Sequence, residues 1–143
     1  DYGCGKGRVD CYLSYQTRCH SIGVEYDPRI YETAAENQKT AVSGGRTEFV
    51  LADAGEFPVP DAVNRAYFFN PFSVELLQKV IRRILDSWYE VPREIRLFFY
   101  YPSDEYLAYL MTVDELVFAD EIDCRELFDG NDARERIVEF VLE

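Results

Sequence analysis

The sequence lacks any apolar run near the roughly 18 to 20 residues that a membrane-spanning helix requires, and no charged-then-apolar leader opens it. A soluble protein working in the cytoplasm, with no membrane partner, is the expectation. Positive charge is scarce: 15 Lys and Arg stand against 27 Asp and Glu, leaving a net charge of −12. Because phosphate neutralisation dominates nucleic-acid affinity, this stretch is not expected to grip nucleic acid without a basic segment from elsewhere. Histidine occurs once, at His20, and Cys4, Cys11, Cys19 and Cys124 form no C-x-x-C pair, so no metal site is expected. The cysteines read as buried or half-buried free thiols of a reducing compartment. Cys4 stands apart, since a thiol beside a helix N-terminus could have a lowered pKa, although nothing gives it a catalytic role. Internal repeats and low-complexity segments are absent too. One domain over residues 1–143 is expected, with an aromatic share of 15% supplying bulky core material.

What is present begins at once, with Asp1-Tyr2-Gly3-Cys4-Gly5-Lys6-Gly7. Glycines at alternate positions let a backbone turn sharply and lie against a ligand. Arg8 to Tyr15 then has helical character, with Val9, Tyr12 and Leu13 on one face, so the loop delivers a helix N-terminus to a bound molecule. The third glycine comes one residue too early for the dinucleotide fingerprint G-x-G-x-x-G. No Gly-Lys-Ser/Thr follows a four-residue spacer, which excludes a P-loop. Such a loop is expected to follow a buried strand, which would lie ahead of Asp1, outside the sequence read here.

Further along, Cys19 to Val24 is a short extended run ending on Glu25, which lies 20 positions beyond Gly5. At that spacing an acidic side chain can accept from both hydroxyls of a ribose. Asp27-Pro28 reads as an N-cap and first helical residue, and the helix runs through Ile30, Ala34, Ala35 and Gln38 to a stop at Ser43-Gly44-Gly45. Thr47 to Leu51 is the next strand, ending at Asp53. That carboxylate could accept from an adenine amine, or could simply shape the turn before Gly55. After a polar connection, Ala66 to Phe69 is a buried strand leading into Asn70-Pro71-Phe72-Ser73. Val74 to Trp88 is an amphipathic helix carrying Leu77, Val80, Ile81, Ile84 and Leu85. Ile95 to Tyr101 is another strand, and Ser103-Asp104-Glu105 starts a helix with Tyr106, Leu107, Leu110 and Met111. Leu116–Asp123 and Arg136–Leu142 are extended runs without a helix between them, so they form an antiparallel hairpin at the sheet edge.

Strands alternating with helices and closing in a hairpin make an open α/β sheet, Rossmann-like and mostly parallel with an antiparallel C-terminal edge hairpin. The run D-x-G-x-G-x-G, Glu25, Asp53 and Asn70-Pro71-Phe72 all fall after strands, where open α/β sheets bind ligands. Together they resemble the class I S-adenosylmethionine-dependent methyltransferases. The resemblance implies that Asp1, Gly3, Gly5 and Gly7 hold the methionine part of the cofactor S-adenosyl-L-methionine. It likewise assigns Glu25 to the ribose, Asp53 with Ala54 to the adenine, and Tyr26 to the adenine face. Lys6 is then a surface residue.

Asn70-Pro71-Phe72 is similar to the Asn-Pro-Pro-Tyr/Phe motif of methyltransferases acting on planar nitrogens. There the Asn and backbone carbonyls bind the amine, and an aromatic ring stacks on the substrate. Asn70, Pro71 and Phe72 are accordingly the catalytic candidates, with Asn70 counted also in the cofactor-binding set. The second proline is absent, however, Phe72 comes one place early and Ser73 fills the aromatic slot. On another reading, Asn70-Pro71 only turns the chain and Ser73 caps the next helix. The cofactor's sulfonium already makes its methyl group electrophilic, so alignment of a nucleophile is the main requirement, and near-attack positioning supplies about 7 to 11 kcal/mol. No dedicated base is expected, and His20 is taken as structural. The expected function is methyl transfer to an unidentified acceptor, such as a planar nitrogen of nucleic acid, protein or a small molecule. A non-catalytic cofactor-binding or interaction module is the alternative, and the glycine spacing disfavours a nicotinamide-dependent oxidoreductase.

Overall fold

The computed structural model describes residues 1–143, which divide into two compact units, Asp1–Phe57 and Pro58–Glu143. In the first, helix α1 (Arg8–Thr17) is followed by strand β1 (Ser21–Glu25), helix α2 (Pro28–Thr40), a 3-10 turn (Gly44–Arg46) and strand β2 (Thr47–Leu51). β1 and β2 pair in parallel, from Ser21 opposite Thr47 to Glu25 opposite Leu51. Tyr2 forms a further parallel bridge to Val24, so the residues entering the glycine loop already lie in strand pairing. The local chemistry explains the boundaries of α2: Asp27 caps it by accepting from the Arg29 amide at 2.8 Å, and Pro28 occupies the first turn, where no amide partner is needed.

Helix α1 buries a face that its hydrophobic pattern does not mark. Tyr12 and Leu13 are exposed, while Asp10 and Ser14 are buried. The reason is a polar seam: the Ser14 and Ser21 hydroxyls are 2.7 Å apart, and Ser21 donates to the Asp10 carbonyl at 3.2 Å. β1 also starts later than its sequence indicates, leaving Cys19 and His20 exposed ahead of it. The small apolar core here is Cys4, Ala34 and Phe49, with Cys11 and Tyr31 packed against it.

The second unit contains strand β3 (Arg65–Phe68), helix α3 (Val74–Glu90), strand β4 (Ile95–Tyr100), helix α4 (Asp104–Leu110), strand β5 (Val117–Asp123), a 3-10 turn (Arg125–Leu127) and strand β6 (Arg136–Leu142). The strand order is β3-β4-β6-β5, with β3 and β4 parallel and β6 antiparallel to both β4 and β5. The expected C-terminal hairpin is therefore present, and its second strand inserts between β4 and the edge. Leu77, Val80, Ile81 and Ile84 are the buried stripe of α3. Phe68 stacks on Phe99 with centroids 4.6 Å apart, and Tyr106 and Phe140 meet Phe99 edge-on. No helix in the chain is long and apolar enough to cross a membrane.

Candidate cofactor loop and acceptor segment

The glycine loop is stitched to β1 by its backbone. Gly3 and Cys4 amides both donate to the Val24 carbonyl, at 2.9 and 3.0 Å, and the Val24 amide donates to Asp1 at 2.9 Å. Gly3, Gly5 and Gly7 all have positive φ, at 69°, 58° and 79°. Two of them have different reasons to be glycine. A Cβ on Gly7 would lie 2.6 Å from Phe49 Cε1, so close packing fixes that position, whereas a Cβ on Gly5 would meet nothing within 4 Å. Gly5 thus opens one flank of the loop to space that a ligand can fill.

Glu25 closes the other flank. Its Oε1 accepts from the Gly5 amide at 3.0 Å and its Oε2 from the Asp27 amide at 2.9 Å. An ionised carboxylate has about four acceptor sites, so two bonds fix the side chain while leaving capacity for a pair of hydroxyls. Tyr26, beside it, is 75% exposed and Ala54 is buried. The Ala52 amide donates to the Glu25 carbonyl at 3.0 Å, which brings Glu25 and Asp53 to neighbouring strand ends. Asp53 is itself engaged in a turn, Oδ1 accepting from the Gly55 amide at 2.8 Å. Lys6 is a surface residue, and the Asn37 side chain anchors its carbonyl at 3.0 Å. An open glycine flank thus lies beside a carboxylate held in place by two amides.

Beneath the loop the electrostatics run against the expectation for Cys4. Burial pushes its thiol up to about 12, and the Asp10 and Glu25 carboxylates add to the rise. Desolvation and negative neighbours outweigh the helix N-terminus here. Asp10 itself is 1% exposed with neither carboxylate oxygen hydrogen-bonded. Burial pushes its carboxyl up to about 6. The spacing of Asp10 and Ser14 on one helical face was the signal for this buried polar seam. The other cysteines are free, with Cys11 half-buried, Cys124 buried and Cys19 exposed, so Cys19 departs from the expected burial.

In the second unit, Asn70 is exposed with φ of 42°, a left-handed conformation that Asn tolerates better than most residues. Pro71 and Phe72 are half-buried, and the Phe72 ring packs edge-on against Phe68 with centroids 6.4 Å apart. Ser73 caps α3, accepting from the Leu76 amide at 3.3 Å. The buried Tyr106 hydroxyl pins the segment twice, accepting from the Phe72 amide at 3.2 Å and donating to the Phe72 carbonyl. The exposed aromatic ring of this segment is Phe69, at 56%. Its signal was alternation along β3, which sends Phe68 inward and Phe69 outward.

A sequence profile described as "Methyltransferase domain" matches residues 1–94. No curated protein matches the chain. Among solved structures, the magnesium protoporphyrin IX methyltransferase ChlM from Synechocystis PCC 6803 with bound SAM is 15% identical at a TM-score of 0.70, covering 100% of this chain and 68% of that one. A SAM-dependent methyltransferase from Thiobacillus denitrificans in complex with S-adenosyl-L-homocysteine is 13% identical at 0.62, covering 99% and 82%. The cyclase SpnF is 15% identical at 0.69, covering 99% and 72%. At these identities the structures share the fold with this chain. The profile match takes in the glycine loop, Glu25, Asp53 and Asn70-Pro71-Phe72, and on that ground the chain belongs to the methyltransferase-domain family, whose reaction is S-adenosylmethionine-dependent methyl transfer.

Proposed function

We propose that Glu25 holds the ribose of S-adenosylmethionine, that Asp1, Gly3, Gly5 and Gly7 hold its methionine part, and that Asp53, Ala54 and Tyr26 border its adenine. The observation that carries this reading is the Glu25 carboxylate, held by the Gly5 and Asp27 amides with acceptor capacity to spare. Asn70, with Pro71 and Phe72 setting its backbone, orients an acceptor nitrogen, and Asn70 also contributes to the cofactor site. The side-chain oxygen of Asn70 accepts from one N–H of the acceptor, which orients that nitrogen. The twofold grip of Tyr106 on Phe72 supports a fixed segment in place of the missing second proline. The composition supports a cytoplasmic protein that acts away from membranes.

Calorimetric titration of the protein with S-adenosylmethionine and S-adenosylhomocysteine tests the cofactor assignment, with Glu25→Ala as the variant. Saturable binding that weakens at least about tenfold in Glu25→Ala is expected, in line with the loss of charge-assisted hydrogen bonds. Equal affinity in the variant would remove Glu25 from the site, and no binding by well-folded protein would overturn the whole assignment.

A further inference from the structure

The carboxyl ends of β3 and β4 form an aromatic shelf of Phe69, Tyr100 and Tyr101. Phe68 pairs with Phe99 in the parallel register, and continuing it sets Phe69 beside Tyr100 and Asn70 beside Tyr101. The Phe69 and Tyr100 rings lie 4.7 Å apart at a 50° tilt, and Tyr101 meets Phe69 edge-on at 6.4 Å. Asn70 and Tyr101 both have positive φ, so both strands turn away at the same level. The chain leaves the Phe69 ring 56% exposed.

Carboxylates rim this shelf. Tyr100 donates its hydroxyl to Glu135 Oε2 at 2.5 Å, and Tyr101 donates to Asp132. Asp104 and Glu105 open the next helix, and both are exposed. The cluster already takes one guanidinium: Arg134 sits over the Tyr101 ring, 4.3 Å from its centroid. Its planar group also donates to the Pro102 and Tyr101 carbonyls, each at 3.4 Å. Phe69 and Tyr100 offer a second set of ring faces beside Glu135, without a guanidinium of the chain's own.

We propose that this shelf binds an arginine side chain of a basic protein segment, its guanidinium stacked on Phe69 and Tyr100 and paired with Glu135. The inference rests on the methyl-transfer reading and concerns recognition only: the shelf holds a planar cationic group of a protein partner. Charge complementarity selects the cation, since the chain carries a net charge of −12. An aromatic face with a flanking carboxylate suits a flat guanidinium better than a compact, strongly hydrated ammonium. The openness of the shelf selects a side chain of a longer partner. A free small molecule needs a concave site that buries most of its surface, whereas a peptide gains further contacts on either side.

The test measures fluorescence anisotropy with a short labelled peptide alternating glycine and arginine, its lysine twin, a single-stranded oligonucleotide, and free arginine as competitor. Expected is saturable binding of the arginine peptide, several-fold weaker binding of the lysine twin, and feeble competition by free arginine. Phe69→Ala and Glu135→Gln should each weaken the arginine peptide by about five- to tenfold. Phe69 is exposed and Glu135→Gln keeps its shape, so both variants should stay folded. S-adenosylhomocysteine titration of the same variants should be unchanged. Equal binding of both peptides, indifferent to Phe69→Ala, would reduce the effect to bulk charge and overturn the proposal. Binding of the oligonucleotide that depends on Phe69 would also overturn it, assigning the shelf to a nucleobase. Protein that binds S-adenosylhomocysteine but not the arginine peptide defeats this inference alone, while failure to bind either sulfur cofactor defeats the methyl-transfer reading.

Discussion

At the scale of single residues, the glycine loop shows two different uses of one residue type. Gly7 is glycine because Phe49 occupies the space a side chain would need, and Gly5 because its φ of 58° lies in the left-handed region that side chains disfavour. Asp10 lies beneath them as a buried carboxyl with no hydrogen-bond partner for its oxygens. Burial raises it from 3.8 to about 6, so the folded state holds the proton more tightly than the unfolded state. Stability therefore falls as pH rises between those two values. Asp10→Leu is expected to stabilise the protein by about 1–3 kcal/mol near pH 8, with the gain shrinking below about pH 4. Urea unfolding at both pH values measures it. A variant less stable at pH 8 would show that the carboxylate has a partner in solution.

At the scale of elements, three helices begin on side-chain caps: Asp27 on α2, Ser73 on α3 and Ser103 on α4. The last two frame Asn70-Pro71-Phe72. α3 starts immediately after Phe72, and α4 carries Tyr106, whose hydroxyl holds Phe72 by both backbone groups. Tyr106→Phe keeps the buried ring and removes that grip, leaving a half-buried amide and carbonyl without their partner. The expected loss is about 1–2 kcal/mol, together with faster hydrogen exchange at the Phe72 amide. Unchanged exchange there would mean that the turn into α3 holds the segment by itself.

At the scale of the whole molecule, acidic groups outnumber basic ones and the folded chain repels itself. Several ion pairs, such as Arg29 with Asp27 and Lys39 with Glu36, are exposed and contribute little. Arg96 is better placed, bridging Glu94 and Glu139. Raising salt from about 0.05 to 0.5 M shortens the Debye length and is expected to raise Tm by a few degrees, because screening relieves more repulsion than attraction. A falling Tm would show that pairs such as Arg96 with Glu139 dominate instead. The same screening should weaken binding of the arginine peptide while leaving S-adenosylhomocysteine binding nearly constant.

The sequence by itself determined the features that depend on neighbours along the chain. The glycine run, the carboxylate 20 residues beyond Gly5, the caps, the apolar stripe of α3 and the C-terminal hairpin are all written in local spacing, and local spacing sets local geometry. Only the tertiary structure decided which faces meet. It buried Asp10 and Ser14 rather than Tyr12 and Leu13, because β1 offers α1 a serine hydroxyl. It turned Phe72 against Phe68 and left Phe69 outward, because burial of an aromatic depends on what lies across the sheet. It raised the Cys4 thiol where a helix N-terminus predicts the reverse, because desolvation is set by packing that no single stretch of sequence contains.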